Sequence, residues 1–282
     1  MVGKFLRSWA LMKASAAVLR ADKSLLAFPL LSGLCTLLVA ASFLAPVALS
    51  FIASGQAGEP RLAAGHYVVL FAFYLVQYFV IIFFSTALAG SALRHLRGEP
   101  TSFADGIAVA KARWVSILGY ALIAATVGLL LRALQERLGL LGRLVVGFVG
   151  LAWTVATFLV VPVLASQDIG PAAAVQRSVE LLKRTWGENI IGNVGMGMVF
   201  GLMMFVTVLV CALLVGGAFA THSMVAVVAA VGLAVVGLTV LSLVQASLQG
   251  IYAAALYRYA EQGEAGAGFD QALLEQAFRP KR

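Results

Sequence analysis

The sequence predicts an all-α fold: a polytopic membrane bundle of about six transmembrane helices, with amphipathic interfacial helices on the cytoplasmic side. Three observations carry this. Of 282 residues, 62% are hydrophobic and 11% charged, too little charge to cover a soluble domain of this length. The apolar residues come in uncharged runs, each about long enough to cross a hydrocarbon layer of roughly 30 Å. The Lys and Arg residues stand between those runs and favour alternate gaps.

Taken in order, residues 1–24 open with Phe5, Trp9, Met12 and Ala16 at helical spacing and Arg7 opposite, the pattern of a helix lying in the headgroup plane. The basic lead-in reaches Lys23, and the apolar run behind it is about twice a signal-peptide core. It therefore reads as a retained first span, 25–53, with Pro29 and Pro46 near its ends. Span two, 66–93, is rich in aromatics, among them Phe73, Tyr74, Tyr78 and Phe84. A shorter, less regular surface segment, Phe103 to Trp114, leads to span three, 115–131. Arg132 and Glu136, four apart, then read as a short outer-surface helix reaching Arg143; a gating or binding arginine is the sharper alternative.

Span four is 144–165, followed by a turn at Asp168 in Gln-Asp-Ile-Gly-Pro. A third surface helix sets Val175, Val179, Leu182 and Trp186 against Arg177, Glu180 and Arg184. From Ile190 no charge appears until Arg258, too long for one helix. Gly216, Gly217, Thr221, His222 and Ser223 divide that stretch into spans 190–217 and 224–257, and 258–282 is left as a cytoplasmic tail of one membrane domain. Each surface helix precedes an odd-numbered span, which suggests three copies of a unit made of a surface helix and a membrane hairpin.

Sixteen of the 20 Lys and Arg residues fall on one side of this topology, which places both termini in the cytoplasm. The exception is the outer loop holding Arg132, Arg137 and Arg143. The net charge of +8 borders apolar spans without forming one stripe, so it points to anionic lipid and away from nucleic acid. The basic faces expected to meet headgroups comprise Arg7, Lys13, Arg177, Lys183 and Arg184.

Polar side chains within the spans are the best functional pointers, because an amide in hydrocarbon seeks a partner. Gln245 and Gln249 share a face of span six with Tyr252 nearby, Asn189 and Asn193 share a face at the inner end of span five, and Gln77 lies mid-way along span two. They serve either as glue between helices or as the lining of a polar cavity or headgroup site. Ser242, Ala246, Gly250 and Ala254 form a ridge of small residues read as packing span six on span five. Cys35 and Cys211 lie in different spans, and the three histidines have no metal-site spacing. No GxSxG elbow, HExxH, phosphate loop or paired carboxylate is present, so no catalytic residue, cofactor or metal is expected.

The stretches LRADKSLLAFPLLSG, GPAAAVQRSVELLKRTWGENIIGN and AALYRYAEQG with GFDQALLEQAF resemble an uncharacterised family of bacterial six-span membrane proteins. The surface-helix pattern is more distantly similar to the membrane domain of some glycerophosphodiester phosphodiesterases. The resemblance implies the topology and carries over no activity. The function expected is a non-enzymatic protein that binds or organises membrane lipid, alone, as a homo-oligomer, or with a membrane-protein partner. A channel or transporter using the interior amides is the alternative, and a lipid-modifying enzyme the third reading.

Overall fold

The computed structural model describes residues 2–54, 64–186, 191–220, 223–264, 266 and 269, including the side chains of 11–46, 68–139, 142–183, 201–220 and 223–264. The helices are α1 (Val2–Ala21), α2 (Ala27–Ser54) after a 3-10 turn at Lys23–Leu26, α3 (Ala64–Leu96), α4 (Phe103–Ala112), α5 (Trp114–Arg137), α6 (Leu140–Ala156), α7 (Val160–Ser166), α8 (Pro171–Trp186), α9 (Ile191–Ala220) and α10 (Met224–Gln262). No strand occurs among the described residues. Among the described residues, six stretches are long and apolar enough to cross a membrane: Lys23–Pro46, Val68–Leu96, Trp114–Arg137, Gly142–Ser166, Gly201–Ala220 and Met224–Gln262. The molecule is an all-α polytopic bundle. Its element order places a docking helix (α1, α4, α8) before each of three membrane hairpins.

α3 is the hub, touching α2, α4, α5, α7 and α10. Small residues make this possible: Thr86, Ala87, Ala89, Gly90, Ser91 and Ala92 are all buried, so other backbones can approach closely. Gly106 brings α4 so near that a Cβ there would stand 2.7 Å from the Ala87 carbonyl oxygen and 2.5 Å from Phe28 Cζ. Phe28 is itself fully buried and stacked on Phe103, with centroids 4.8 Å apart.

The long helices converge at the end where α1, α4 and α8 dock, and polar bonds tie that end together. Asp22 accepts from Ser24 N at 3.0 Å and from Thr101 Oγ1 at 2.7 Å, joining the α1–α2 turn to the start of α4. A capping box of Ser102 and Asp105 starts α4. Arg113 pairs with Asp168, and Arg258 donates to the Leu96 carbonyl. Arg177 binds both Glu261 oxygens at 2.8 Å.

Several expectations shift. The fourth span is not continuous: the helix breaks at 157–159. Pro162 accounts for this, since its ring opposes the carbonyl of residue 158 and it has no N–H to give. Around the break Phe158 N turns to the Val155 carbonyl and Val160 N to that of Thr157. Leu159 N and the Ala156 carbonyl are left over. Both are met by the fully buried Ser178 of α8, which accepts from Leu159 N at 3.2 Å and donates to Ala156 O at 2.7 Å.

The outer-surface helix expected at Arg132 is the end of α5, which runs unbroken to Arg137 because no breaker precedes Gly139. Gly216 and Gly217 lie inside α9; the division comes after Ala220, where Ser223 caps α10 by accepting from Ala226 N. Of the small-residue ridge, Gly250 packs on α3, where a Cβ would strike Leu88, whereas Ser242 and Ala246 are exposed. On α1 the buried stripe is Leu11, Met12, Ser15, Val18 and Leu19, and on α8 it is Ala174, Ser178, Leu181 and Leu182. These keep Met12 and Leu182 of the predicted stripes, and the side chains of Phe5, Trp9 and Trp186 lie outside the described residues. The rest is shifted, because an apolar arc wide enough to look amphipathic does not say which of its rows goes deepest.

Candidate functional site

At membrane depth, α2, α3 and α10 splay apart around a cleft of about 610 Å³. Pro29, Ser32, Gly33 and Thr36 of α2 form one wall. α3 supplies a stripe from Phe73 to Leu88 with Tyr74, Gln77, Tyr78, Ile81 and Phe84, positions three or four apart that share one helix face. Ser242, Leu243 and Ala246 of α10 close the third side. The stripe follows α3 for about 22 Å at 1.5 Å per residue. Ser242, Ala246 and Ile81 are exposed, so the cleft opens sideways.

Hydroxyls and one amide punctuate the apolar wall. Gln77 Nε2 donates to the Thr36 carbonyl at 3.2 Å, and Thr36 Oγ1 donates to the Gly33 carbonyl at 2.9 Å. Gln77 Oε1 is buried without a donor among the described residues. At the end of the cleft away from the docking helices, Tyr74 accepts from Arg132 at 2.7 Å, and Arg132 pairs with Glu136 at 3.1 Å. Arg132 therefore orients a residue of the cleft wall.

Of the amides singled out in the sequence, the cleft takes in Gln77 alone. Gln249 is exposed and Gln245 half-buried on α10, whereas Tyr252 is buried with its ring 6.3 Å from that of Phe158. Asn189 lies outside the described residues, as does the side chain of Asn193. Among the basic residues, Lys13 and Lys183 are exposed, and the side chains of Arg7 and Arg184 lie outside the described set. Arg177 is engaged within the protein: hydrogen bonds from its guanidinium to Glu261 and Glu180 raise its pKa. Its role is thus to fasten α8 to the end of α10.

Sequence reasoning missed the hydroxyls Ser32 and Thr36 and the part played by Ser178, and it gave Ser242, which lines the cleft, only a packing role. The aromatic density of span two was the available signal for the cleft, and Pro162 the signal for the break. The described residues contain no group of three His, Cys, Asp or Glu placed to hold a metal.

The model of a family described as a family of unknown function (DUF6159) matches residues 64–269, from the start of α3 to beyond α10. That region includes two walls of the cleft and all of α8. No curated protein and no solved structure matches.

Proposed function

The chain belongs to the DUF6159 family of unknown function, and from that premise we propose that it is a non-enzymatic, multi-pass membrane protein that binds membrane lipid, taking an acyl chain into the cleft between α2, α3 and α10. The observation that carries the reading is the cleft itself: apolar, at membrane depth and open to the side. Its volume of about 610 Å³ falls within the range of ligand pockets. Such an opening admits a chain from the surrounding leaflet without drawing it through water. The proposal includes residence in a bacterial inner membrane with both termini cytoplasmic, supported by the sixteen-to-four division of basic residues. The distant likeness to the membrane domain of some glycerophosphodiester phosphodiesterases belongs to the same proposal.

A conducting path would need its amides in line. Gln249 is exposed and Gln77 is committed to an α2 carbonyl, which favours the lipid reading over the channel.

The test is native mass spectrometry of gently extracted protein. A Cβ at Gly33 meets nothing within 4 Å, so Gly33→Leu places its side chain in open cleft space without disturbing the fold. We expect co-purified lipid to fall several-fold relative to wild type, and Gly232→Leu, also in open space but away from the cleft, to leave it unchanged. Equal lipid in all three proteins would end the acyl-chain reading.

A further inference from the structure

A second cavity, of about 270 Å³, lies at the docking-helix end between the last turns of α3, α7 and α10 and the flank of α4. It is on the side of α3 facing away from the cleft: Gly90, Leu93, Arg94 and Arg97 line it, whereas Leu88, two residues earlier and about 200° around the helix, lines the other. Three of its lining residues are charged and all three are arginines: Arg94, Arg97 and Arg258. Ser166, Tyr257 and Gln262 add polar groups, and no carboxylate lines it.

We propose that this pocket is a binding site for a phosphate-bearing anion, held by the guanidinium groups of Arg94, Arg97 and Arg258 at the membrane surface. It is built for charge. The Arg258 side chain is only 13% exposed, and it is held by a hydrogen bond from one terminal nitrogen to the Leu96 carbonyl. Its Nε, like that of Arg94, is buried with no hydrogen-bond acceptor among the described residues. Arg94 Nε stands 3.2 Å from Glu99 but outside hydrogen-bonding geometry.

The balancing carboxylates sit on the outer rim. Glu99 lies 3.2 Å from Arg97, Asp105 3.3 Å from Arg94 and Glu264 3.6 Å from Arg258; they are 41%, 37% and 70% exposed. Such exposed pairs are weak, whereas arginine and phosphate form paired, charge-assisted hydrogen bonds. The ends of α3 and α10 oppose an anion with about half a charge each, less than the three guanidinium groups supply. The volume suits a phosphate group better than a whole ligand, and basic pockets between membrane helices are a recognised mode of headgroup capture.

The phosphate has two sources, a phospholipid headgroup or a soluble phosphate. The site stands independently of the acyl-chain cleft, since it uses the opposite side of α3. The full chain is placed in phosphatidylcholine nanodiscs and titrated separately with phosphatidylglycerol and with inorganic phosphate. Binding is read by native mass spectrometry for the lipid and by calorimetry for phosphate. Arg97→Gln is the main variant, because Arg97 is half-exposed and its loss spares the fold; Arg137→Gln, exposed at the end of α5 and outside both cavities, is the control, and Gly33→Leu reports on the cleft. We expect Arg137→Gln to bind like wild type, Gly33→Leu to keep wild-type affinity for inorganic phosphate, and Arg97→Gln to bind about tenfold more weakly, the scale of one lost charged hydrogen bond. Response to lipid alone assigns a headgroup site, and response to phosphate assigns a soluble one. Absence of binding to both, or unchanged affinity in Arg97→Gln, overturns the proposal, whatever Gly33→Leu does to acyl-chain retention.

Discussion

Ser178→Ala removes one oxygen and thereby strips two backbone groups of their partners. In wild type, Leu159 N and the Ala156 carbonyl, orphaned by the break between α6 and α7, both rest on Ser178 Oγ. A single hydrogen bond between membrane helices is worth only about 0.6 kcal/mol on average, because either partner finds another. Here the neighbouring amides at 158 and 160 are already committed to Val155 and Thr157, and the Leu159 amide is buried away from solvent. A buried group left unmet costs about 1–3 kcal/mol; with the Leu159 amide buried and Ala156 only part-buried, the variant should lose about 1–3 kcal/mol. Equilibrium unfolding with SDS in mixed micelles measures this. Thr126→Ala serves as the control, since its hydroxyl only returns to the Leu122 carbonyl of its own helix on an exposed face, and it should stay within about 0.5 kcal/mol of wild type. If Ser178→Ala is as stable as that control, Ser178 does not sustain the break and the account of α8 docking fails.

Two further outcomes follow from the docking end. Burial pushes the Asp22 carboxyl up, but hydrogen bonds from Ser24 and Thr101 outweigh it and hold the group below its ordinary value of 3.8. A carboxylate depressed on folding adds stability that is present above the unfolded value and lost as pH falls through the folded one. Between about pH 5 and pH 3, the thermal midpoint of wild type should therefore drop more steeply than that of Asp22→Asn; parallel curves would contradict this. Gly106→Ala forces a methyl against the Ala87 carbonyl and Phe28 and should cost about 1–3 kcal/mol in the same SDS titration. Gly216→Ala, which meets nothing within 4 Å, should leave stability unchanged.

The legibility of this protein divides along a physical line. Apolar runs broken by charge were readable because the bilayer imposes a length that each run must match, and 25–53, 66–93 and 224–257 fall on α2, α3 and α10 with only their ends displaced. The break in the fourth span was not read: Pro162 carries the backbone constraint that makes it, but the run 144–165 stays apolar across it and reads as continuous. The candidate site was read less well. Gln77 was identified because an amide stands out in an apolar run, but the hydroxyls beside it look like any small residue. The basic faces were counted by sign, and sign does not distinguish Arg177, spent on Glu261, from Lys183, which is exposed.

By itself, then, the sequence determined the class, the number and order of the membrane helices and the presence of three docking helices, since these depend on composition over one or two dozen consecutive residues. Only the tertiary structure decided that α3 is the hub, that Gly250 meets Leu88 from 162 positions further along the chain, that Ser178 closes a break some twenty residues upstream, and that three arginines from two helix ends face one cavity. Those outcomes depend on which row of each helix turns inward. In a membrane, where nearly every row is apolar, hydrophobicity does not choose the row; close packing of small residues and the demand that buried polar groups find partners do.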